Sequence, residues 1–579
     1  MSLTSAVQIG RSALAASQLG IQVAGNNLAN AATPGYSRQI GDLSSIRGAT
    51  NSIENGAGRG VRVSAIRRQV DVALQARLVS STSETAAANV RQQITSQVES
   101  TLGELGSNDL SSELTGFFKV WSERANQTKS SASVVQQGDK LAQFVKGLRG
   151  HLTDQRKQVD GQLAASVGKA NELIQTIARL NSAISSTEGA GTPANTLRDQ
   201  RDTAVTSLSE MMDVATVDRG LGGVDVLVGS APIVLGSRAN TLGLRTRVEE
   251  GVSRVSVEIA GDRAQELAVT SGQIGALLAT RGGAIDDTIK KIDRLTSQVI
   301  FEVNKLHSTG TNLAGLTTAT GSLGISAADR SLAMNDPANE SFTNLPFAAQ
   351  NGGFLVHVKQ KGTGAEQTVR INVDLDGTTN AGLAGTTDDT TAEGIRSSLN
   401  AIGGINATFT TDGKIKITAD EGFEFSFSDD SSGSLAVLGV NSYFTGKDAS
   451  DIAVRADLLT DSSKLAAGRI VNGQFTENGT TLALAKIQDQ HLAGLGGQTI
   501  TSTWQDTVQS VGGAAATAMS NADSTSIVHE ALQNQRDSLS GVNTDEESIS
   551  LMDYQRQYQA AARVISTVDQ MTQVLLAML

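Results

Sequence analysis

The sequence has no cysteine among its 579 residues, which excludes disulfides, thiol nucleophiles and thiolate metal sites. Proline occurs five times and aromatic residues make up 3%, where ordinary chains carry about 5% proline. With 59 glycines beside them, these scarcities describe long uninterrupted helices joined by Gly-rich turns, an unusual profile for an enzyme. No apolar run approaches the roughly 18 residues of a membrane-spanning helix, so the chain is expected to be soluble. Its first twenty residues show neither a basic leader nor a compact apolar stretch with a cleavage site, so no cleaved secretory signal is expected. Basic residues are outnumbered, 47 against 59, for a net charge of −12, which argues against a nucleic-acid binder that must neutralise phosphates. At roughly 100–200 residues per domain the length predicts about three to five domains.

Apolar and small residues recur at spacings of four and three through Leu3, Val7, Gly10, Leu14, Ser17, Ile21, Ala24 and Leu28, predicting an amphipathic helix with a narrow seam that needs a close-packed partner. Pro34-Gly35 ends it, since proline disfavours the helical conformation at Thr33 and Pro-Gly suits the centre of a type II turn. Residues 37–68 read as a β-hairpin or extended arm. From about 71 to 213 the pattern is helical, with breaks near Gly103–Asp109, Ser130–Ser133 and Gly189–Pro193. Strand-like runs occupy about 214–268, and 284–307 is helical again. Between about 316 and 459, period-two alternation such as Phe354/Val356/Val358 and Phe423/Phe425/Phe427 predicts a separate β-rich domain with one short helix near 391–402. At the far end Thr544-Asp-Glu-Glu547 reads as a capping box. The seam Leu551, Tyr554, Tyr558, Ala561, Ile565, Val568, Met571, Leu575 and Met578 then continues to the terminus.

The fold class expected is therefore multidomain α + β. A discontinuous terminal α-helical coiled coil (1–70 and 530–579, with the β arm at 37–70) encloses a mainly helical middle domain with some strands (71–315 and 460–529), which carries the β-rich insert 316–459. The coiled-coil seam joins Leu3, Val7, Leu14 and Ile21 to Leu551, Tyr554, Tyr558, Ile565, Val568, Met571 and Leu575, either within one chain or between copies.

Catalytic motifs are near misses. His529-Glu530-Ala-Leu-Gln533 has glutamine where a zinc-protease motif needs its second histidine. Asp374-Leu-Asp376-Gly377 opens like a calcium loop but has no glutamate at the twelfth position, and reads as a hairpin turn. Gly446-Lys447 lacks the rest of a phosphate loop, and Gly56-Ala-Gly-Arg-Gly60 has the wrong final spacing for a dinucleotide fingerprint. The five histidines are scattered. Arg47, Arg59, Arg62, Arg67 and Arg68 make the arm basic, as a solvated strand face or a docking surface for an acidic neighbour. Phe117, Phe118 and Trp121 read as helix-packing core. No catalytic, cofactor or metal residue is assigned.

The segment Ala24-Gly-Asn26-Asn27-Leu28-Ala29-Asn30-Ala-Ala-Thr33-Pro34-Gly35-Tyr36-Ser37-Arg38-Gln39 resembles the signature of bacterial flagellar rod, hook and hook-associated proteins. Its Tyr-Ser-Arg-Gln ending is similar to the hook-associated members, since rod and hook members usually continue from the glycine with Phe. Ser540-Gly-Val-Asn-Thr-Asp-Glu-Glu547 and Tyr558-Gln-Ala-Ala-Ala-Arg-Val-Ile565 resemble the family's closing helix. Gly25, Ala31 and Ala32 depart from its commoner forms. The resemblance covers the two ends and not the insert. It implies an assembly motif of Asn26, Asn27, Leu28, Asn30, Thr33, Pro34, Gly35, Tyr36, Ser37 and Arg38. It also implies a non-enzymatic structural subunit of the extracellular flagellum, exported through the type III channel, with terminal helices lining the inner tube and the insert facing outward. The partners implied are copies of itself in a ring, hook protein on one side, a second junction protein or flagellin on the other, and an export chaperone. A hook or other axial subunit is the alternative within this class, and a hydrolase carried on the insert the alternative outside it. The absence of cysteine and scarcity of proline suit a chain that must refold after passage.

Overall fold

None of the five prolines falls inside a helix, and one helix accordingly runs unbroken for 59 residues. The computed structural model describes residues 3–46, 58–103, 109–127, 129–220, 222–249, 252–261 and 264–578. From the N-terminus come α1 (Leu3–Ala29), the antiparallel pair β1 (Gln39–Ser45) and β2 (Val61–Arg68), and helices α2 (Val72–Leu102), α3 (Leu110–Ala125), α4 (Ser131–Gly189) and α5 (Asn195–Met211). An antiparallel sheet of β3 (Ala215–Gly220), β4 (Gly223–Val228), β5 (Ala231–Leu235) and β6 (Arg238–Ala239) follows in sequence order, then a second of β7 (Leu242–Glu249), β8 (Val252–Ile259) and β9 (Gln265–Leu267). Next are α6 (Gly272–Thr280), a π-helical turn at Arg281–Asp286 and α7 (Asp287–Ser308).

The strand-rich stretch holds β10 (Gly310–Thr311), β11 (Thr318–Thr320), α8 (Glu340–Thr343), β12 (Gly352–Gln360), β13 (Glu366–Val373), α9 (Ala392–Asn400), β14 (Ile405–Phe409), β15 (Ile415–Ala419), β16 (Phe423–Ser428) and α10 (Ser434–Leu438). After it come β17 (Phe444–Thr445), β18 (Ala453–Val454), α11 (Ala456–Thr460), β19 (Gly468–Val471), β20 (Gln474–Thr476), α12 (Gly479–Ala485), α13 (Ile500–Ser540) and α14 (Thr544–Ala577).

The chain divides into two compact units, one of residues 1–94, 159–281 and 516–579 and the other of 95–158 and 282–515. In the first, α1 packs along α14 and against the β1–β2 arm. In the second, the alternation of β12 and β16 buries Phe354, Val356, Val358, Phe425 and Phe427 in the sheet β13-β12-β16. A separate aromatic nest joins Phe117 and Trp121 of α3 to Tyr443 and Phe444, with the Trp121 and Tyr443 rings 5.3 Å apart. His307 lies against Tyr443, fully buried. Its Nδ1–H donates to the Asn441 carbonyl at 2.7 Å and its Nε2 accepts the Ala466 N–H at 3.3 Å.

Several expectations are corrected. Asn543, not Thr544, caps α14, its side chain accepting from the Asp545 and Glu546 amides, because Glu547 is drawn away to Arg38 and Asn27. The stretch 316–459 holds α8, α10 and most of α11 as well as α9, since runs of only four or five residues are too short to show a helical period. The Asp374-Leu-Asp376-Gly377 segment is no hairpin turn: it opens a long loop from β13 to α9. Arg68 is no solvated arginine, because it pairs with Asp199 and Asp202 of α5 at 2.8 Å each. Arg67 pairs with Asp42 across the arm at 2.9 Å. Arg47, Gly56 and Ala57 lie outside the described residues. Leu28, at the end of its stripe, is 39% exposed.

Candidate assembly interface

The seam of α1 is made largely of absent side chains. Gly10, Ala16, Ser17 and Ala24 are its buried positions besides Asn27, while Leu3, Val7, Leu14 and Ile21 are half-buried. On α14, Ala561 and Val568 are buried and Leu551, Tyr554 and Ile565 half-buried. A Cβ placed on Gly10 would meet Ile565 Cγ1 at 2.7 Å, and one on Gly20 would meet the Tyr554 ring at 2.5–2.7 Å. The larger α14 side chains therefore seat in gaps left by glycine, so the backbones approach closely without deep apolar faces. The pairs Gly10–Ile565, Gly20–Tyr554 and Asn27–Glu547 run in opposite senses along the two helices, which makes the pairing antiparallel. Tyr558, Met571 and Leu575 are 41%, 53% and 49% exposed, outside the area that α1 covers.

At the motif the pairing turns polar. Asn27 is 1% exposed and uses its whole hydrogen-bonding capacity. Its Nδ2 donates to the Gln39 carbonyl at 2.8 Å and to Glu547 Oε2 at 3.2 Å. Its Oδ1 accepts the Gln39 N–H at 3.0 Å and the Tyr36 hydroxyl at 2.9 Å. One amide thus ties α1 to the first residue of β1, to the turn and to the first turn of α14. Glu547, itself 2% exposed, also receives Arg38 Nε at 2.7 Å, while Arg38 Nη1 reaches Glu546 at 3.1 Å. The carboxylates stand where the α14 dipole favours negative charge. The Arg38 N–H donates to the Ser540 carbonyl at the end of α13.

The remaining motif residues shape the turn. Gly35 takes φ +79° and the Tyr36 N–H donates to the Thr33 carbonyl, the turn expected of Pro34-Gly35. A side chain on Gly35 would run into Thr203 of α5. Asn30 Nδ2 donates back to Asn26, and Thr33 to Asn30. The Ser37 N–H donates to Asp199 at 3.4 Å, and Asp199 in turn holds Arg68. Burial first, then Asp199 and Glu547, push the Tyr36 hydroxyl up to about 12, so it stays protonated and keeps donating to Asn27. Beside the turn, Asn30, Thr33, Pro34 and Tyr36 face Thr196 and Gln200 of α5 across an open cleft of about 420 Å³. The sequence had pointed to the motif and the seam. It had not pointed to Asp199 and Asp202, or to the pairing role of Glu547, whose place in a first helical turn reads equally well as capping.

Three family models match the chain: flagella basal body rod protein over residues 8–36, the flagellar hook-associated protein FlgK helical domain over 95–322, and the flagellar basal body rod FlgEFG protein C-terminal region over 533–578. Flagellar hook-associated protein 1 of Escherichia coli is 25% identical over 98% of both chains. That of Salmonella typhimurium is 26% identical over 99% of this chain and all of its own. The solved structure of the flagellar hook junction protein FlgK from Burkholderia pseudomallei superposes with a TM-score of 0.52 at 14% identity, covering 80% of this chain and the whole of that one. Paired terminal helices closed by this motif define a structural protein of the bacterial flagellar axis. Within that class, the chain is similar along nearly its whole length to flagellar hook-associated protein 1, and its 95–322 stretch to that protein's helical domain. Among the described residues no helix is long and apolar enough to cross a membrane.

Proposed function

We propose that this chain is a non-enzymatic subunit of the junction between hook and filament, and that it assembles through its terminal helices after type III export. One observation carries the reading. α14 has a second apolar stripe, formed by Ile549, Met552, Val564, Met571, Val574 and Leu575, every one of them about half exposed or more, on a side that α1 leaves bare. A buried aliphatic side chain contributes roughly 1.5–3 kcal/mol, so covering this stripe with neighbouring copies supplies a strong drive to form a ring. The motif residues from Asn26 to Arg38 fix the angle at which the pair α1–α14 leaves the arm and α5, and so set the register in which copies meet. Hook protein on one side, and a second junction protein or flagellin on the other, would bind the two different ends of such a ring. An export chaperone would cover the same α14 stripe beforehand. The domain at 316–459 would stand on the outside.

A strain deleted for this chain tests the reading by electron microscopy of its cell surface. Hooks without filaments, with flagellin in the medium, are expected, and the full-length chain restores filaments. Filaments of normal length on the deletion strain would refute the junction role. Loss of hooks together with filaments would assign the chain to the hook instead.

A further inference from the structure

Asp374, Asp376 and Asp389 meet in the loop between β13 and α9, with one carboxylate oxygen of each within 4.8 Å of the others. The loop is pinned at its base. The Asp374 N–H donates to Thr390 Oγ1 at 2.8 Å, and the Thr390 N–H donates to the Asp374 carbonyl at 2.7 Å. That closure brings Asp389 against the Asp-x-Asp-Gly turn, in which Gly377 takes φ +68°.

Asp389 is the informative member. It is 3% exposed. Its Oδ2 accepts Asn335 Nδ2 at 2.6 Å and the Gly377 N–H at 3.2 Å, whereas its Oδ1 is buried without a hydrogen-bond partner among the described residues. Asn335 Oδ1 and Asp388 Oδ1 are buried and unpartnered in the same way. Leaving such oxygens unpaired is costly, and more so for a charged group. No Lys, Arg or His occurs between residues 371 and 395, so this stretch of chain offers no cation of its own.

We infer that this loop binds a calcium ion through Asp374, Asp376 and Asp389. Calcium takes six to eight oxygens at about 2.3–2.6 Å, so two ligands on opposite sides of one ion stand up to about 5 Å apart, which the three carboxylates satisfy. Asp374 and Asp376 are exposed, leaving the outer side of the ion to water. Magnesium fits less well, because it demands a near-ideal octahedron at about 2.0–2.1 Å. The calcium-loop pattern failed in the sequence because its twelfth position is Gly385; the closing carboxylate comes from the sixteenth, after an extra turn of loop.

The test is calorimetric titration of the full chain, treated with chelator and dialysed, with CaCl₂ and separately with MgCl₂. One calcium per chain is expected, bound more tightly than magnesium, with a higher melting temperature in calcium. Asp376→Asn should weaken binding by at least about tenfold and abolish the thermal shift, while Asp420→Asn, an exposed carboxylate elsewhere in this unit, should change neither. Asp376 is exposed, so its variant folds even if Asp389→Asn does not. Folded wild-type chain without calcium binding up to about 5 mM would overturn the site. So would binding unaffected by Asp376→Asn, or magnesium bound as tightly as calcium.

Discussion

The ring of Tyr554 lies directly on Gly20, so close that a single added methyl group would overlap three of its carbons. Alanine normally favours a helix interior over glycine by about 1 kcal/mol. Here the sign should reverse: Gly20→Ala is expected to destabilise the pairing of α1 with α14 by about 1–3 kcal/mol through overpacking. In a Tyr554→Ala background the same substitution should stabilise it. Denaturant unfolding of the four proteins, with limited proteolysis of the termini, measures both arms.

Asn27→Ala should cost more than a surface change. It strands the Gln39 amide and carbonyl, the Tyr36 hydroxyl and one oxygen of Glu547, each at about 1–3 kcal/mol where water cannot enter. Hydrogen exchange at the Gln39 amide should accelerate by at least about a hundredfold, the equivalent of about 2.7 kcal/mol. An unchanged rate would mean that the amide is held by something other than Asn27.

His307 makes the second unit sensitive to acid. Burial, helped by Arg455, pushes the ring down to about 3 from an ordinary 6.5, because a second ring proton would face the Ala466 N–H. The unfolded chain therefore binds the proton more readily. Stability from this group is complete above about pH 6.5 and falls as pH drops towards 3, by about 1.4 kcal/mol per unit. Urea unfolding at pH 7 and pH 5 should differ by about 2 kcal/mol from this residue alone, and His307→Gln should remove that part of the difference.

The two faces of α14 should separate by mutation. Met571→Asp and Leu575→Asp alter exposed positions and should leave monomer stability within about 0.5 kcal/mol while abolishing filament attachment. Ile565→Asp should damage the monomer too, since Ile565 sits in the Gly10 gap. Thermal unfolding of purified variants, set beside micrographs of complemented cells, distinguishes them. Attached filaments in the Leu575→Asp strain would show that the bare stripe is not an assembly surface.

What could be read from the sequence was what is local. The α1 seam, the Pro34-Gly35 turn, the four helices α2 to α5 and the alternation of β12 and β16 each follow from spacing within a few turns or residues. What stayed hidden depends on distant partners. Glu547 looked like half of a capping box until Arg38 and Asn27, more than 500 residues earlier, were seen to claim it. Arg68 could be read as solvated or as docking on an acidic neighbour, because nothing in a strand pattern reveals that α5 brings Asp199 and Asp202 to it. Phe117 and Trp121 were legible as core, but Tyr443 and Phe444, more than 300 residues away, could not be placed beside them.

The exchange between Asn27, Arg38 and Glu547 also makes the N-terminal segment a detector of chain completeness. A product truncated before Asn543 would carry Asn27 with an unmatched donor, Arg38 without its two carboxylates, and a glycine-gapped helix with nothing to fill the gaps. Such a fragment has little reason to fold its first thirty residues, since a lone helix of this kind is marginal in water. The front of the polypeptide stays unlocked until α14 is present to fill the glycine gaps and meet Asn27 and Arg38.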